Sequence, residues 1–338
     1  MNLKEFAARI GLSQTTVSRA MSGYPEVRPE TRQRVLDAAE RLGYRPNISA
    51  QRLATGRAGA IGIVFQGGGR FGPHSSEFMG GLSTRLQEDG IDILVATVET
   101  EADEAAAYRR LAASKRVDAV VVHTPGRTDA RIALLQALDL PFIVHGRSTA
   151  DRPFAFLDID NFGAIEMATG YLADLGHRRI ALINGDTVST FAADRDSGYH
   201  TMLKARGLAA DPALIGRGAF TDETGFRLMQ AFLALPAPPT AVIAGSMMSA
   251  LGAMRAIRIA GLAVGEDVSL IAHDDVFPYL SPDNLVPSVT TTQSPIRAAG
   301  ERIGDMVLRR LQGEPPEALQ EVWPVDFRIR GSTGPAPV

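Results

Sequence analysis

Residues 3–23 read LKEFAARIGLSQTTVSRAMSG. Apolar residues recur at helical spacing over Leu3–Ile10 and again over Gln14–Met21, so this stretch predicts two short helices. Gly11 interrupts the first pattern, and Ser13 stands where its hydroxyl can accept a hydrogen bond from a free N–H of the second helix. Two short helices joined by about three turn residues indicate a helix-turn-helix.

A third helical pattern follows in residues 27–57, which read VRPETRQRVLDAAERLGYRPNISAQRLATGR. It covers Pro29–Leu42, with Val35 on its apolar face and Gly43 just past its end. Such a helix would support the other two. Arg28 occupies its N-cap position, and because arginine cannot cap, we expect a loss of about 1 kcal/mol in local helix stability.

The second helix carries side chains suited to reading DNA bases. Gln14, Thr15 and Arg19 are polar and lie away from the face formed by Val17 and Ala20. Gln can bond the N6 and N7 edge of adenine in a bidentate way, and Arg can bond O6 and N7 of guanine. The alternative is an ordinary solvated helix face, and the helical pattern alone leaves both interpretations open.

The distribution of charge favours the first interpretation. Residues 1–57 contain ten Lys and Arg and five Asp and Glu, a formal charge of +5, whereas the whole chain carries −3, which leaves −8 for the remainder. A basic head on an acidic body is the electrostatic footprint of a protein that binds the DNA phosphate backbone.

These two stretches closely resemble the headpiece of the lac-repressor (LacI/GalR) family of bacterial transcription regulators, and look most like members tied to α-glucoside use. The matching positions include Thr16–Arg19, Gly43–Tyr44, Pro46–Asn47 and Leu53. The resemblance implies a DNA-binding headpiece over residues 1–46, which reads the major groove of double-stranded DNA through Gln14, Thr15 and Arg19.

The resemblance also assigns roles to neighbouring residues. Contacts to the DNA backbone are expected from Ser13, Thr16, Ser18 and Asn47. Residues 47–58 are expected to form a hinge helix and linker that order only when two copies meet on DNA, since helices of about two turns are marginal in water. Ala50 and Leu53 would then enter the minor groove, with Leu53 as an apolar wedge. The alternative for Leu53 is an ordinary linker residue.

Composition restricts the rest of the chain. Its 338 residues suffice for two or three cores, and the lack of Cys excludes disulfides and thiolate metal sites. No apolar signal region precedes the helices and no run approaches the ~20 apolar residues of a membrane span, so we expect a cytoplasmic protein without membrane contact. The six His residues show no metal-binding spacing, and His123 and His177 are interpreted as structural or surface residues.

From residue 59 onward, short apolar runs alternate with helical patterns. Strands are predicted at Ile61–Phe65, Ile91–Val98, Ala119–Val122, Phe142–His145, Ile180–Ile183, Ala241–Ala244 and Val268–Ala272. Apolar strands separated by helices indicate parallel sheets covered on both faces, and the cycles suffice for two doubly wound α/β sheets. Ligands of such sheets bind beyond the carboxyl ends of the strands or between lobes.

The family resemblance continues through this region, for example in DIDNFGAIEMATGYLADLGHRRIALINGD at residues 158–186. It implies a periplasmic-binding-protein fold with an effector bound between two lobes. The expected first lobe comprises residues 59–159 and 291–321. The expected second lobe comprises residues 160–290 and 322–331.

The resemblance also implies effector-binding residues. By position, Arg195 would grip ligand hydroxyls or a carboxylate, Phe220 would pack on the ligand, and Asp274 would accept from hydroxyls. Further candidates are His145, Arg147, Phe71, Ser246 and Gln293. Structural alternatives are a surface ion pair for Arg195, a core position for Phe220, and a turn or helix cap for Asp274 and Asp275.

One departure from the family pattern concerns ligand polarity. After Ala241–Ala244 the family usually offers Asn-Asp, where this chain has Ser246–Met247. Ser has fewer donors than Asn, and Met has no useful hydrogen-bond capacity. We therefore expect a less polar or larger ligand portion there, such as the second ring of a disaccharide.

The sequence thus predicts a repressor of a carbohydrate-utilisation operon that is released by a sugar effector. A homodimer on a near-palindromic operator is expected because one headpiece reads few base pairs, and the lack of a heptad tail favours a dimer over a tetramer. Alternatives are a regulator that depends on a purine-like corepressor or a protein coeffector, and a sugar-binding transport protein. Without a nucleotide fingerprint or nucleophile elbow, no enzyme activity, catalytic residue, metal site or cofactor is predicted.

Overall fold

A computed structural model describes residues 1–21, 24–44, 56–67 and 72–337. Several predicted positions lie outside the described residues, namely Gly23, Asn47, Ala50, Leu53 and Phe71. The chain divides into two compact units, Met1–Gly59 and Ala60–Val338.

The first unit contains the three predicted helices, α1 (Leu3–Ile10), α2 (Gln14–Met21) and α3 (Pro29–Leu42). A capping box between Asn2 and Glu5 begins α1, and Gly11 in the left-handed conformation ends it. The helix α3 starts at Arg28 without a side-chain cap, as expected. The sequence prediction of a helix-turn-helix with a support helix is confirmed.

A small core holds these helices together. Phe6 is fully buried and stacks on Tyr44 with ring centroids 4.2 Å apart. Val17 of α2 and Val35 of α3 are fully buried in the same cluster. Arg34 of α3 donates to the Ile10 carbonyl at the end of α1 at 2.6 Å. These contacts fix the inner face of α2 and leave its outer face available.

The second unit alternates strands with helices. Its strands are β1 (Ala60–Gln66), β2 (Asp92–Val98), β3 (Ala119–His123), β4 (Phe142–His145), β5 (Ala155–Ile159), β6 (Ile180–Asn184), β7 (Ile215–Arg217), β8 (Ala241–Ala244), β9 (Ser269–Asp274), β10 (Thr290–Gln293), β11 (Gln320–Trp323) and β12 (Asp326–Arg328). Its helices are α4 (Pro73–Gln87), α5 (Glu101–Ser114), α6 (Ala130–Ala137), α7 (Asn161–Asp174), α8 (Thr190–Ala205), α9 (Asp222–Leu233), α10 (Met247–Ile259) and α11 (Ile296–Leu311).

The strands form two six-stranded sheets, in the orders β11-β5-β4-β3-β1-β2 and β12-β10-β9-β8-β6-β7. Neighbouring strands are parallel except for the antiparallel pair β10 and β12. Each sheet is apolar on both faces. In β3, for example, Val121 packs in one cluster while Val120 and Val122 pack in another. The predicted α/β class with two doubly wound sheets is confirmed.

Two crossings between the sheets differ from the predicted lobe boundaries. Thr290–Gln293 pairs with β9 in the second sheet, so the chain leaves that sheet after residue 293 rather than 290. Gln320–Trp323 pairs with β5 in the first sheet, so the last crossing follows residue 323 rather than 321. Both predicted boundaries cut through a strand because the polar strands at these points were not recognised. Among the described residues, no helix is long and apolar enough to cross a membrane.

Candidate functional site

The first candidate surface begins at the N-terminus of α2. The Ser13 Oγ accepts a hydrogen bond from the Thr16 backbone N–H at 3.0 Å and lies 2.8 Å from the Thr16 hydroxyl oxygen. This is the N-cap that the sequence predicts, and it satisfies one of the free donors at the helix start. Ser18, one turn further on, is partly exposed.

The outer face of α2 presents the predicted base-reading side chains. Gln14, Thr15 and Arg19 are exposed, whereas Val17 and Ala20 are buried against the other helices. Within the described part of the chain, the Arg19 side chain forms no hydrogen bond or ion pair. Its guanidinium donors are therefore available to a partner molecule.

The second candidate site lies between the two lobes of the second unit. The loop after β3 meets the start of α8 through an antiparallel bridge between Gly126 and Ser189. Arg147 also spans the lobes, because its Nε donates to Asp158 of β5 at 2.5 Å and its Nη2 lies 3.6 Å from an Asp194 carboxylate oxygen on α8. Burial raises the pKa of both Asp158 and Asp194, and the arginine opposes that shift. The predicted effector residue Arg147 therefore joins the lobes at one side of the cleft.

Arg195 of α8 is buried at the ends of the second sheet. Its Nε donates to the Asn161 Oδ1 at 2.8 Å, and its Nη1 donates to the Gly245 carbonyl at 2.8 Å. The Asn161 amide in turn donates to the Ile159 carbonyl at 3.0 Å. Burial lowers the pKa of Arg195 to about 10, so the group stays protonated at neutral pH. The alternative of a surface ion pair does not hold, since Arg195 is only 5% exposed.

Two neighbouring aromatic rings lie beside this guanidinium. Its central carbon lies 5.2 Å from the Phe191 ring centroid and 5.9 Å from that of Phe220. Phe220 is partly exposed and lies over Gly245, where an added Cβ would come within 2.8 Å of the ring. Phe220 therefore packs on the strand ends and still offers part of its surface to the cleft.

The two adjacent aspartates after β9 have different surroundings. The Oδ1 of Asp274 accepts from the backbone N–H two residues on at 2.8 Å, and its Oδ2 accepts from the Gln293 Nε2 at 2.9 Å. Two predicted effector residues thus bond each other. An Asp275 oxygen lies 3.4 Å from the His74 Nδ1, and the Asp275 charge partly restores the pKa of Arg195. The geometry favours Asp275 over Asp274 as the carboxylate that faces the cleft.

Ser246 is the N-cap of α10. Its Oγ accepts from the Ser249 backbone N–H at 3.1 Å, and its side chain is buried. Met247 is fully buried in the core of the second lobe. Met247 therefore offers no surface to a ligand, and any change in ligand polarity at this position depends on Ser246 alone.

Three histidines meet at the carboxyl edge of the first sheet. His123 and His145 end β3 and β4 as register partners, with their Nδ1 atoms 3.1 Å apart. His145 is buried and stacks on Phe78 with ring centroids 4.7 Å apart. His74 of α4 completes the group, whose ring nitrogens lie within 4.8 Å of one another. The spacing of the histidines in the sequence did not indicate this group, because the register of the two strands brings His123 and His145 together.

The electrostatics of this histidine cluster follow from burial. Burial lowers the pKa of His145 to about 3 and holds that of His123 well below its usual range. Both imidazoles are therefore neutral at physiological pH. His177, by contrast, bonds Thr240 and Ser269 inside the second lobe, which agrees with its predicted structural role.

Sequence reasoning missed several of these cleft residues. Asn161 follows β5 closely, so the rule that sites lie beyond strand ends would have included it, whereas Asp275 was considered together with Asp274. His74 and Phe191 follow loops of no particular pattern, and no local signal in the sequence indicates their position.

Both parts of the chain match known protein families. Residues 2–47 match the family described as bacterial regulatory proteins, lacI family. Residues 59–327 match the family described as periplasmic binding proteins and sugar binding domain of LacI family. The chain is 50% identical over 342 residues to the HTH-type transcriptional regulator AglR of Rhizobium meliloti (strain 1021), covering 100% of this chain and 95% of that protein.

Solved structures are similar over nearly the full length. One is a transcriptional regulator CelR–cellobiose complex, with 28% identity, a TM-score of 0.73, and coverage of 98% of this chain and 99% of that chain. Another is the lac repressor dimer bound to operator and the anti-inducer ONPF, with 27% identity, a TM-score of 0.84 and coverage of 99% of each chain. The protein therefore belongs to the lacI family of bacterial regulatory proteins and is a DNA-binding transcriptional regulator.

Proposed function

We propose that this regulator represses a carbohydrate-utilisation operon as a homodimer on a near-palindromic operator, and that a sugar releases it. The observation that carries the proposal is the buried Arg195 guanidinium beside two neighbouring rings, with the Asp275 carboxylate nearby. A guanidinium donor, a carboxylate acceptor and an aromatic face are the groups that bind hydroxyls and the apolar faces of a sugar ring.

In the proposed complex with DNA, α2 enters the major groove. Gln14, Thr15 and Arg19 are exposed on one helix and contact base edges. Phosphates are bound by Ser13, Thr16 and Ser18. The roles of Asn47, Ala50 and Leu53 in the backbone contact and the minor groove remain proposals from the family resemblance.

In the proposed complex with effector, Arg195 donates through Nη2, which has no hydrogen-bond partner among the described residues. Asp275 accepts from a hydroxyl, and Phe220 packs on the ring. The other predicted contacts stay proposals from the family resemblance, namely His145, Arg147, Ser246, Gln293, Asp274 and Phe71, the last of which lies outside the described residues.

We propose an α-linked disaccharide as the effector class. The headpiece resembles family members tied to α-glucoside use, and CelR, a similar protein, has been solved with the disaccharide cellobiose. The short Ser246 side chain, committed to capping α10, leaves room where the family usually has Asn. Both points support a ligand with a second ring.

The proposed mechanism is a shift between two arrangements of the lobes. One arrangement lets the headpieces bind the operator as a pair, and the effector prefers the other. The effector can shift this equilibrium only by its differential affinity for the two states. No step requires bond chemistry, so we propose a cytoplasmic regulator without catalytic activity or cofactor.

Operator binding measured by fluorescence anisotropy tests the proposal. Purified full-length protein is titrated into labelled DNA from its own upstream region, with scrambled DNA as the control. Mono- and disaccharides are then added in turn. Release by one disaccharide supports the proposal, and tight specific binding that no sugar disturbs would overturn the sugar effector.

A matched pair of variants tests the effector site. Arg195→Lys removes the planar fork of donors, so we expect the release curve to move to at least about tenfold higher sugar with operator affinity unchanged. Arg206→Lys alters a surface arginine paired with Asp174 and should respond as the unaltered protein does. Equal sugar responses in all three proteins would contradict the role of Arg195.

A purine-like corepressor is the second candidate, favoured by the paired rings of Phe191 and Phe220, whose centroids lie 6.0 Å apart. A planar base can stack against such rings. The same titration separates the candidates, because a corepressor tightens operator binding whereas an inducing sugar weakens it.

A further inference from the structure

We propose that His74, His123 and His145 form a binding site for a divalent transition-metal ion, Zn²⁺, at the carboxyl edge of the first sheet. This site goes beyond the proposed regulatory function and shares His145 with the candidate effector contacts, so it is tested without sugar. It rests on the geometry of the three imidazoles.

The distances between the ring nitrogens suit a metal ion. In a tetrahedral zinc site with Zn–N bonds of about 2.0–2.1 Å, two ligand nitrogens lie about 3.3 Å apart. The Nδ1 atoms of His123 and His145 are 3.1 Å apart, and all three histidines offer nitrogens within 4.8 Å of one another. The His74 side chain is 42% exposed in the first turn of α4, so a small rotation brings its ring into range.

The fold itself fixes the positions of His123 and His145, the first two proposed ligands. His123 and His145 are paired in register on adjacent parallel strands, so the backbone fixes their separation. The His145 ring also stacks on Phe78 with an interplanar angle of 7°. The alternative account is a hydrogen bond between His123 and His145 with His74 beside Asp275, and titration with zinc separates the two accounts.

Asp275 lies beside this group. Its Oδ1 is 3.4 Å from the His74 Nδ1, on the segment that follows β9 of the second sheet, where it can orient the His74 ring as an outer partner. Three imidazoles form a donor set that suits Zn²⁺ and leave its fourth position to water, and the chain has no Cys to compete as a ligand.

The neighbouring His273 lies outside the ligand set. Its Nδ1 is 3.0 Å from the Thr292 Oγ1 and its Nε2 is 3.1 Å from the Ser294 Oγ, so both ring nitrogens are engaged. Its Nε2 also lies 3.8 Å from an Asp275 oxygen. His273 therefore positions the segment that carries Asp275 rather than the metal.

Calorimetric titration of Zn²⁺ into untagged, chelator-treated full-length protein without sugar tests the site. We expect one ion per chain, and a rise in thermal unfolding temperature when Zn²⁺ is added. His145→Asn should weaken binding by at least about 100-fold, since loss of a direct ligand exceeds the 10–100-fold loss typical of outer partners. His200→Asn alters an exposed histidine elsewhere and serves as the matched control.

Two further variants keep the test decisive if His145→Asn folds poorly. His74→Asn changes a half-exposed side chain outside the core and should also lose tight binding. Asp275→Asn should weaken binding less than either histidine change, and Co²⁺ in place of Zn²⁺ should give the absorption spectrum of a tetrahedral site. Absence of stoichiometric binding, or equal binding in the His74, His145 and His200 variants, would overturn the proposal.

Discussion

Replacement of Arg19 by Ala tests the assignment of α2 as the base-reading helix. The Arg19 side chain is exposed and forms no hydrogen bond or ion pair within the described part of the chain, so its removal should leave the folded headpiece intact. A bidentate arginine–guanine contact is worth about 1–3 kcal/mol. With one such contact from each headpiece of a dimer, the loss in operator binding should be about 2–6 kcal/mol, or about 30-fold to 10⁴-fold in Kd.

The assay is an anisotropy titration on operator and on scrambled DNA at several salt concentrations. The matched control is Arg41→Ala, which removes the same charge from an exposed position near the end of α3. We expect Arg41→Ala to change binding little and equally on both DNAs. If Arg19→Ala lowered binding to operator and scrambled DNA by the same factor, Arg19 would be a phosphate contact and the base-reading argument would be refuted.

Three further predictions concern the second unit. Burial lowers the pKa of His145 to about 3 in the folded protein. As pH falls below 6.5, the unfolded chain therefore takes up a proton at this residue and the folded protein does not. The free energy of unfolding should fall by up to about 1.4 kcal/mol per pH unit from His145. Thermal unfolding between pH 7 and 5 checks this, and an equal slope in His145→Gln would contradict it. Gly81→Ala would place a Cβ 1.9 Å from the Arg297 carbonyl oxygen, so the free energy of unfolding measured with denaturant should fall by at least about 1–3 kcal/mol. Gly72→Ala is the control, because an added Cβ there meets no atom within 4 Å. Ser246→Ala should cost about 0.5–2 kcal/mol as α10 loses its cap, while Ser246→Asn should keep that stability, and an equal loss in both would argue against capping.

The helices of the first unit were predictable because each end carries a local signal. Gly11 adopts the left-handed conformation that ends α1, and Ser13 supplies the hydroxyl that starts α2. These effects act within one turn of the chain, so the sequence alone reaches them. Phe142–His145 and Ala241–Ala244 were likewise predicted with their observed bounds, since fully apolar runs of that length mark buried parallel strands.

Strands that depend on distant partners were not predicted. Thr290–Gln293 reads TTTQ, yet its threonines are buried. Thr290 donates its backbone N–H to the Ser332 Oγ at 2.8 Å, and its hydroxyl accepts from the Arg330 backbone N–H at 2.9 Å. β5 contains Asp158, whose burial depends on Arg147. These polar residues can be buried only because residues distant in the sequence form hydrogen bonds with them. No local sequence pattern indicates such partners.

Some residues of the candidate site were likewise predictable from the sequence, and others were not. Arg195 and Phe220 were placed through family resemblance, and the structure brings them together, although their contact with an effector stays a prediction. Which of Asp274 and Asp275 faces the cleft depends on the direction of the turn after β9. The residue types in the sequence do not determine that direction. The histidine cluster depends on the register of two strands, so the separation of 22 positions from His123 to His145 carries no metal-site pattern.

The bond from Arg195 to Asn161 connects ligand recognition to the motion of the lobes. Asn161 stands just past β5, at the first crossing from one sheet to the other, and its amide holds the Ile159 carbonyl. The group proposed to grip the sugar is thus two hydrogen bonds away from the point where the chain crosses between the sheets. If the proposed shift of the lobes turns about this crossing, the strength of the response can be tuned at position 161 without altering any atom that touches the sugar.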